Sequence, residues 1–149
     1  MSEVETSIRI AAPPKDVWAV IMDPRRLKDW VTIHRRLHDS PDGPPAVGDE
    51  MVQTLCLRGA NFKVTWELAA CDAPHHAEWK GRGPARSKAE TEYRLTAVDG
   101  GTRFDYRNEF KAPLGPLGAV ASRALVGGLP RREADASLQR LKALVESGR

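Results

Sequence analysis

The stretch PPKDVWAVIMDPRRLKDWV, residues 13–31, contains two short helix signals joined by a single Asp-Pro dipeptide. The apolar residues of its first half are spaced as on one face of a helix: Val17, Trp18, Ile21 and Met22. Residues before proline avoid the helical region, so the first helix should end at about Asp23. Aspartate is a good N-cap and proline is favoured at the first helical position, so Asp23-Pro24 also starts a second helix. The stretch therefore predicts two consecutive short helices with a corner between them.

The second predicted helix, from Pro24 to about Trp30, is too short to be stable in water by itself. Leu27 and Trp30 lie three residues apart and face the same way, so we expect a sheet or a cavity to receive them. Two roles for Trp30 stay open. It is either a wedge that packs the short helix in place or a direct contact with a ligand.

Strand patterns lie on both sides of this stretch. Before it, VETSIRI (residues 4–10) alternates apolar and polar side chains. After it come VTIHRRLH, EMVQTLCLR, NFKVTWELAACD, HHAEWKGRG, SKAETEYRLTAV and TRFDYRNEF, separated by turn residues. Gly59-Ala60 and Asp99-Gly100-Gly101 are hairpin signals, which makes the later strands antiparallel.

From about Leu117 to Glu146 the apolar period becomes helical, with an interruption at Gly127, Gly128 and Pro130. The interruption predicts that the first half of this helix, about Leu117 to Val126, moves as a lid. The whole order predicts an α+β fold: about six to seven antiparallel strands, two short helices after strand 1, and a long C-terminal helix on one face of the sheet.

Composition limits the function classes. The chain has 149 residues, a net charge of +3 and two cysteines, Cys56 and Cys71, outside any CxxC pair. This length fits one domain over residues 1–149, and the cysteine usage is typical of free thiols in the cytoplasm. No apolar run approaches the ~20 residues of a membrane span. Basic residues are scattered without interleaved aromatics, which disfavours nucleic-acid binding. We expect a cytoplasmic monomer or homodimer.

Several segments together resemble a known family. They are VWAVIMDPRRLKDW, FKVTWEL, YRLTAVDGGTRFDYRNEF, and APLGPLG before the long helix. The chain is similar over nearly its whole length to the SRPBCC (START-like) superfamily, within it to the polyketide cyclase/dehydrase-like branch. The resemblance implies a helix-grip fold, in which a curved antiparallel sheet wraps the C-terminal helix and encloses a deep apolar cavity. It also implies hydrophobic ligands such as lipids or polyketides, and it is specific for the fold but weak for the reaction.

Strand alternation assigns side chains to the two faces of the sheet. The polar residues of the predicted inner face are Thr6, Gln53, Thr91 and Asn108, whereas Asp and Glu fall almost entirely on the other face. A mostly apolar wall with a few polar groups is typical of a small-molecule site. The residues that we expect to contact the ligand are Trp30, Gln53, Leu55, Phe62, Val64, Trp66, Trp79, Tyr93, Tyr106, Asn108, Leu117 and Val120.

Residues that could support catalysis are few. Tyr106 and Asn108 could polarise a ligand carbonyl, or could simply satisfy partners in the core. Arg35 would join them if the strand that holds it turns Ile33, Arg35 and Leu37 inward, and it would lie in solvent otherwise. The predicted interior contains no clear carboxylate for acid–base work.

The histidines give no metal-site pattern. His34 and His38 should share the outer face of their strand. His75, inner by phase and near Trp79, is the only candidate base, and the alternative is that it is a surface histidine. The sequence contains no zinc-like ligand spacing, no nucleophile motif and no phosphate-binding or dinucleotide fingerprint. We therefore expect neither a metal nor a cofactor.

Three functions stay open from the sequence. The first is binding of a hydrophobic, aromatic or polycyclic small molecule in the cavity. The second is a polyketide cyclase or dehydratase that folds a reactive chain in the same cavity, chiefly by proximity. The third is a protein-interaction regulator of the same superfamily, which the charged outer face disfavours.

Overall fold

The computed structural model describes residues 2–111 and 128–148. Seven antiparallel strands form one curved open sheet in the order β1-β7-β6-β5-β4-β3-β2. The strands are Ser2–Ile10 (β1), His34–Asp39 (β2), Glu50–Leu57 (β3), Ala60–Asp72 (β4), His76–Arg82 (β5), Lys88–Val98 (β6) and Gly101–Lys111 (β7). The first strand thus pairs with the last, and β1 and β2 lie at opposite edges of the sheet.

Two short helices follow β1, as predicted. They are Pro14–Ile21 (α1) and Leu27–Trp30 (α2), with a 3-10 turn over Pro24–Arg26 leading into α2. The corner has the predicted cap, because the carboxylate of Asp23 accepts a hydrogen bond from the backbone N–H of Arg25 at 3.0 Å.

The C-terminal helix, Arg131–Ser147 (α3), buries the predicted stripe against the sheet. Ala134, Leu138, Leu141 and Val145 are all buried on it, and all but Ala134 belong to one apolar core with residues of α1, α2 and the sheet. This arrangement confirms the α+β helix-grip prediction. The predicted lid, residues 117–126, lies outside the described residues.

None of the helices in the described ranges is long and apolar enough to cross a lipid bilayer.

Both predicted hairpins are present. The turn from β3 to β4 is Arg58-Gly59, with φ of 50° and 82°, one residue earlier than predicted. Asp99-Gly100 connects β6 to β7, with Gly100 at φ 81°.

The predicted inner residues Ile33 and Leu37 do face inward, since Ile33 lines the cavity and Leu37 packs against the core, but the predicted outer placement of His34 is wrong. The pairing of β2 with β3 shifts register between His34 and Arg36 and again between Leu37 and Asp39. As a result His34 and Leu37 are the half-buried residues of this strand, and Arg35 is exposed. A bulge of this kind turns a side chain from one face to the other, so strict alternation fails here.

Candidate functional site

A cavity of about 100 Å³ lies between the sheet, α2 and the beginning of α3. One water molecule needs roughly 10 to 15 Å³ on the same measure, so the space exceeds a packing defect and can take several waters or a small organic molecule. The predicted residues that line it are Trp30, Gln53, Leu55, Phe62, Val64, Trp66, Trp79, Tyr93, Tyr106 and Asn108.

Two predicted contacts, Leu117 and Val120, lie outside the described residues. Other lining residues were not among the expected ligand contacts, because they come from α2, from connections and from α3 instead of alternating strands. They include Leu27, Val31, Gly83, Pro84, Ser87, Ala134 and Ser137. The sequence pattern could have identified Leu27 and Ala134 as lining residues, since each lies on a predicted apolar helix face. No sequence pattern marked the loop after β5.

Trp30 packs among aromatic rings of β6 and β7. It is 1% exposed, and its ring centroid lies 6.1 Å from that of Tyr93 and 6.4 Å from that of Phe104. These tilted and edge-on arrangements are the favourable ones for aromatic pairs. Trp30 therefore holds α2 against the sheet while also lining the cavity. The packing role is confirmed; a ligand contact stays a prediction.

The indole nitrogen of Trp30 is an exception to the rule that buried donors are paired. Its Nε1–H is buried and has no hydrogen-bond partner in the described part of the chain. Leaving such a group unpaired costs about 1–3 kcal/mol. The side chain that fixes α2 and lines the cavity thus also carries an unpaired buried donor.

A chain of hydrogen bonds crosses the wall formed by β3 and β4. Trp66 Nε1 donates to Gln53 Oε1 at 2.9 Å, and Gln53 Nε2 lies 2.7 Å from His34 Nδ1. Burial and, after it, the charge of Arg35 lower the pKa of His34. His34 therefore faces the cavity wall, contrary to the predicted outer placement, because of the bulge in β2.

The second polar group lies on β6 and β7. Asn108 Nδ2 donates to Thr91 Oγ1 at 3.0 Å. Burial raises the pKa of Tyr106 well above its usual value, although hydrogen bonds with Asn108 and Thr91 act in the opposite direction. Burial, followed by the nearby Tyr106, raises the pKa of Tyr93 even more. Both phenols therefore keep their protons and act as neutral groups in the wall.

Charge is nearly absent from the cavity. Among the described residues that line it, Lys88 is the only charged one, and its side chain is exposed. The carboxylate of Glu133 is taken up by a hydrogen bond beside the lining residue Ser137: Thr32 Oγ1 donates to Glu133 Oε2 at 2.5 Å, and the Thr32 N–H donates to Ser137 Oγ at 3.0 Å. These bonds tie the segment after α2 to α3.

Two placements that the sequence left open lie away from the cavity in the structure. The Arg35 guanidinium is exposed and donates to the carbonyl oxygens of Thr32 and His34, at 3.3 and 3.2 Å, away from the cavity lining. His75 lies exposed in the turn before β5 and not on the inner face, because the strand begins one residue later, at His76.

The outer face carries a cluster that the sequence did not signal. His76, Glu78 and Glu92 have ligand-type atoms within 4.8 Å of one another, but Arg94 and Arg107 also contact Glu92, at 3.3 and 3.4 Å. Burial opposes ionisation of Glu92, yet hydrogen bonds from His76 and Arg107 outweigh it and lower its pKa. The carboxylate charge is thus already balanced by arginines, as in an ion-pair network.

Comparison with known proteins agrees with this architecture. The chain is 27% identical over 133 residues to an uncharacterised protein of Mycobacterium tuberculosis, Rv1546, covering 88% of this chain and 93% of that protein. It is 23% identical over 127 residues to a protein of the same organism named Toxin Rv0910, covering 84% and 88% of the two chains.

A solved structure has the same fold. Protein CV1439 from Chromobacterium violaceum superimposes with a TM-score of 0.72 at 17% identity, over 98% of this chain and 99% of that one. Residues 1–146 match the family described as polyketide cyclase / dehydrase and lipid transport. The fold and the family together support a general ligand-binding role, and the chain belongs to this polyketide cyclase/dehydrase and lipid transport family.

Proposed function

We propose that the protein binds a hydrophobic, uncharged and aromatic or polycyclic small molecule in the cavity between the sheet and α3. The observation that carries the proposal is the composition of the wall: apolar and aromatic side chains with a few hydrogen-bonding groups, and Lys88 as the only charge among the described lining residues. A ligand with a net charge would lose its hydration there without gaining a partner.

The polar groups of the wall indicate what such a ligand should carry. Tyr93 and Tyr106 keep their phenolic protons, and Gln53 and Asn108 have amide hydrogens on the same lining. Donors of this kind orient a carbonyl or hydroxyl oxygen without requiring a charge on it. We therefore favour a molecule with a rigid apolar body and one or two oxygens.

Native mass spectrometry of freshly purified protein tests the proposal directly, by detecting a hydrophobic compound that co-purifies with it. A separate assay measures binding of a neutral fluorescent probe, N-phenyl-1-naphthylamine. Leu55→Trp fills the cavity, and Lys63→Trp places the same side chain on the exposed outer surface of the neighbouring strand. We expect probe binding to weaken by at least about tenfold in Leu55→Trp and to stay unchanged in Lys63→Trp. Circular dichroism confirms folding of both variants. Equal binding by the two variants would contradict a site in this cavity.

A cyclase or dehydratase reaction in the same cavity is the second candidate. It is favoured by the polar group of Tyr106, Asn108 and Thr91, in which a protonated phenol lies beside an amide. Such groups stabilise negative charge that develops on a carbonyl oxygen. Tyr106→Phe and Asn108→Ala should then lower turnover of a poly-β-ketone substrate more than they lower its binding. Unchanged turnover in both variants would contradict the catalytic role of these residues and leave ligand binding as the supported function.

The relative named as a toxin raises a third possibility, that of a protein-interaction regulator. This role needs an apolar docking surface, and in the described residues Val47 is the only large hydrophobic residue that is exposed. The outer face instead presents ion pairs such as those of Arg107 with Glu92 and Glu109. Ligand binding therefore has the stronger support.

A further inference from the structure

Gln53 joins two nitrogen-containing rings across the cavity wall, accepting from Trp66 Nε1 at 2.9 Å and contacting His34 Nδ1 at 2.7 Å. We propose that His34 is the positioning residue for this amide, and that proton uptake by His34 weakens binding of the ligand. The inference rests on the proposed function and adds that the pH regulates ligand binding.

The donor and acceptor rules fix the direction of the amide. An indole N–H can only donate, so the oxygen of Gln53 has to face Trp66. The amide nitrogen, which also only donates, then faces His34, and Nδ1 of His34 has to accept and carry no proton. The neutral imidazole with its proton on Nε2 is therefore the state that satisfies all three side chains.

A protonated imidazole donates from both ring nitrogens and breaks this pattern. Its Nδ1–H would meet the amide nitrogen of Gln53 donor to donor. A half-turn of the amide would give His34 an acceptor, but it would place the same nitrogen against Trp66 Nε1–H. One hydrogen bond is lost in either arrangement, at a glutamine that is only 4% exposed and has little access to replacement water.

The change would reach the ligand because two of the three residues line the cavity. The indole of Trp66 is confined on the side of β5. A Cβ added at Gly81 would lie 2.8 Å from its ring carbons, so the ring already packs directly against the β5 backbone. Because Gln53 and Trp66 both line the cavity, loss of the hydrogen bond between them changes the surface that a ligand would contact.

The charges around His34 also favour its neutral form. Burial is the larger effect and the Arg35 guanidinium the second, and both lower the pKa of His34. The other ionisable residues of the neighbouring elements are Arg36, His38 and Asp39 on β2, Glu50 and Cys56 on β3, Lys28 and Asp29 on α2, and Arg131, Arg132, Glu133, Asp135, Arg140, Lys142 and Glu146 on α3. Five of the carboxylates already have partners. Glu50 binds Arg82, Asp29 binds Arg26 and Glu133 accepts from Thr32. Asp135 pairs with Arg131, and Glu146 pairs with Lys142.

The sign of the pH effect follows from these contacts. The ligand-competent wall needs neutral His34, and the pKa of this group lies below its ordinary value of 6.5. Binding is therefore fully present at neutral pH and is lost as the pH falls through the pKa of His34. Since one buried bond is lost, we expect affinity to fall by about tenfold.

Nuclear magnetic resonance tests the positioning role without any ligand. We expect the His34 ring signals and the Trp66 indole N–H signal to shift together, with one midpoint below pH 6.5. His34→Asn retains an acceptor close to the position of Nδ1 but does not titrate, so the Trp66 signal should then stay constant. Gln53→Glu offers an acceptor to both rings and should raise the pKa of His34 while leaving the Trp66 bond intact. A Trp66 signal that ignores His34 titration overturns the proposal.

Binding of N-phenyl-1-naphthylamine between pH 7.5 and pH 4.5 tests whether protonation of His34 weakens ligand binding. We expect the affinity of the wild type and of His38→Asn to fall by about tenfold at low pH, and that of His34→Asn to lose this dependence. His38 is a matched control because it binds Thr54 on the outer face, at 2.6 Å. A pH-independent wild type overturns the proposal. Absence of probe binding at every pH would instead contradict the proposed function, while the resonance experiment still decides the role of His34.

Discussion

The inner and outer faces of β6 and β7 are built from alternate residues of the same strands but are held together differently. On the inner face Phe104 is fully buried and its ring meets those of Trp30 and Tyr93. On the outer face its neighbour Arg103 pairs with Asp105 in solvent. The inner face depends on excluding water, whereas the outer ion pairs are screened by it. A substitution should therefore cost far more on the inner face than one residue away on the outer face.

The sharpest test of this contrast is Phe104→Ala against Arg103→Ala. Truncating a fully buried phenylalanine removes apolar contacts and leaves a void, so we expect the free energy of unfolding to fall by about 3–5 kcal/mol. Arg103→Ala removes only an exposed ion pair and should change it by less than ~0.5 kcal/mol. Urea denaturation measures both values. Comparable losses in the two variants would show that the faces are not energetically distinct.

A smaller effect is expected where the inner face is already full. At Gly81 an added methyl group would lie 2.8 Å from the ring carbons of Trp66 and 2.9 Å from Val64. Gly81→Ala should therefore lower the free energy of unfolding by about 1–3 kcal/mol and alter tryptophan fluorescence. Gly43→Ala, with no atom within 4 Å of the added carbon, is the matched control. A neutral result at Gly81 would mean that Trp66 moves freely in the cavity wall.

The smallest effect concerns the outer network around Glu92. Its pKa is lowered, because hydrogen bonds from His76 and Arg107 outweigh the effect of burial. A lowered carboxyl pKa stabilises the fold above the unfolded-state value and loses this contribution as the pH falls through the folded-state pKa. Glu92→Gln should cost about 0.5–1 kcal/mol at pH 7. The difference in melting temperature from the wild type should shrink as the pH falls below the ordinary glutamate value of 4.5 and through the lowered pKa of Glu92. A difference that does not shrink over this range would indicate loss of packing instead of charge.

The sequence predicts which side chains face the cavity only where the strands alternate regularly. Alternation correctly placed Trp66, Trp79, Tyr93, Tyr106 and Asn108 on the cavity wall because the strands pair in regular register at these residues; the register shift between β4 and β5 lies between Leu68 and Ala70. It failed in β2, where His34 and Leu37 point inward at a spacing of three. In VTIHRRLH the apolar residues Val31, Ile33 and Leu37 share one phase, and nothing in these letters marks the bulge that turns His34 inward as well.

The loop after β5 shows a second limit of sequence reasoning. Ala85 and Arg86 both have positive φ, 55° and 65°, in a region that usually calls for glycine or asparagine. Neighbouring Gly83, Pro84 and Ser87 line the cavity. Local propensity gives no warning of such a loop, because its conformation is imposed by the strands that it connects.

The strand order has a consequence for how the chain is made. Glu5 pairs with Arg107, and Thr32 is bonded to Ser137, 105 residues later in the chain. On a ribosome the N-terminal strand and α2 must therefore wait for partners that are synthesised last. Proteins whose native contacts are this distant in sequence fold slowly. Until α3 has emerged, β1 and α2 lack the partners that hold them in the native protein, so apolar residues such as Leu27 and Trp30 stay without their native cover for most of synthesis.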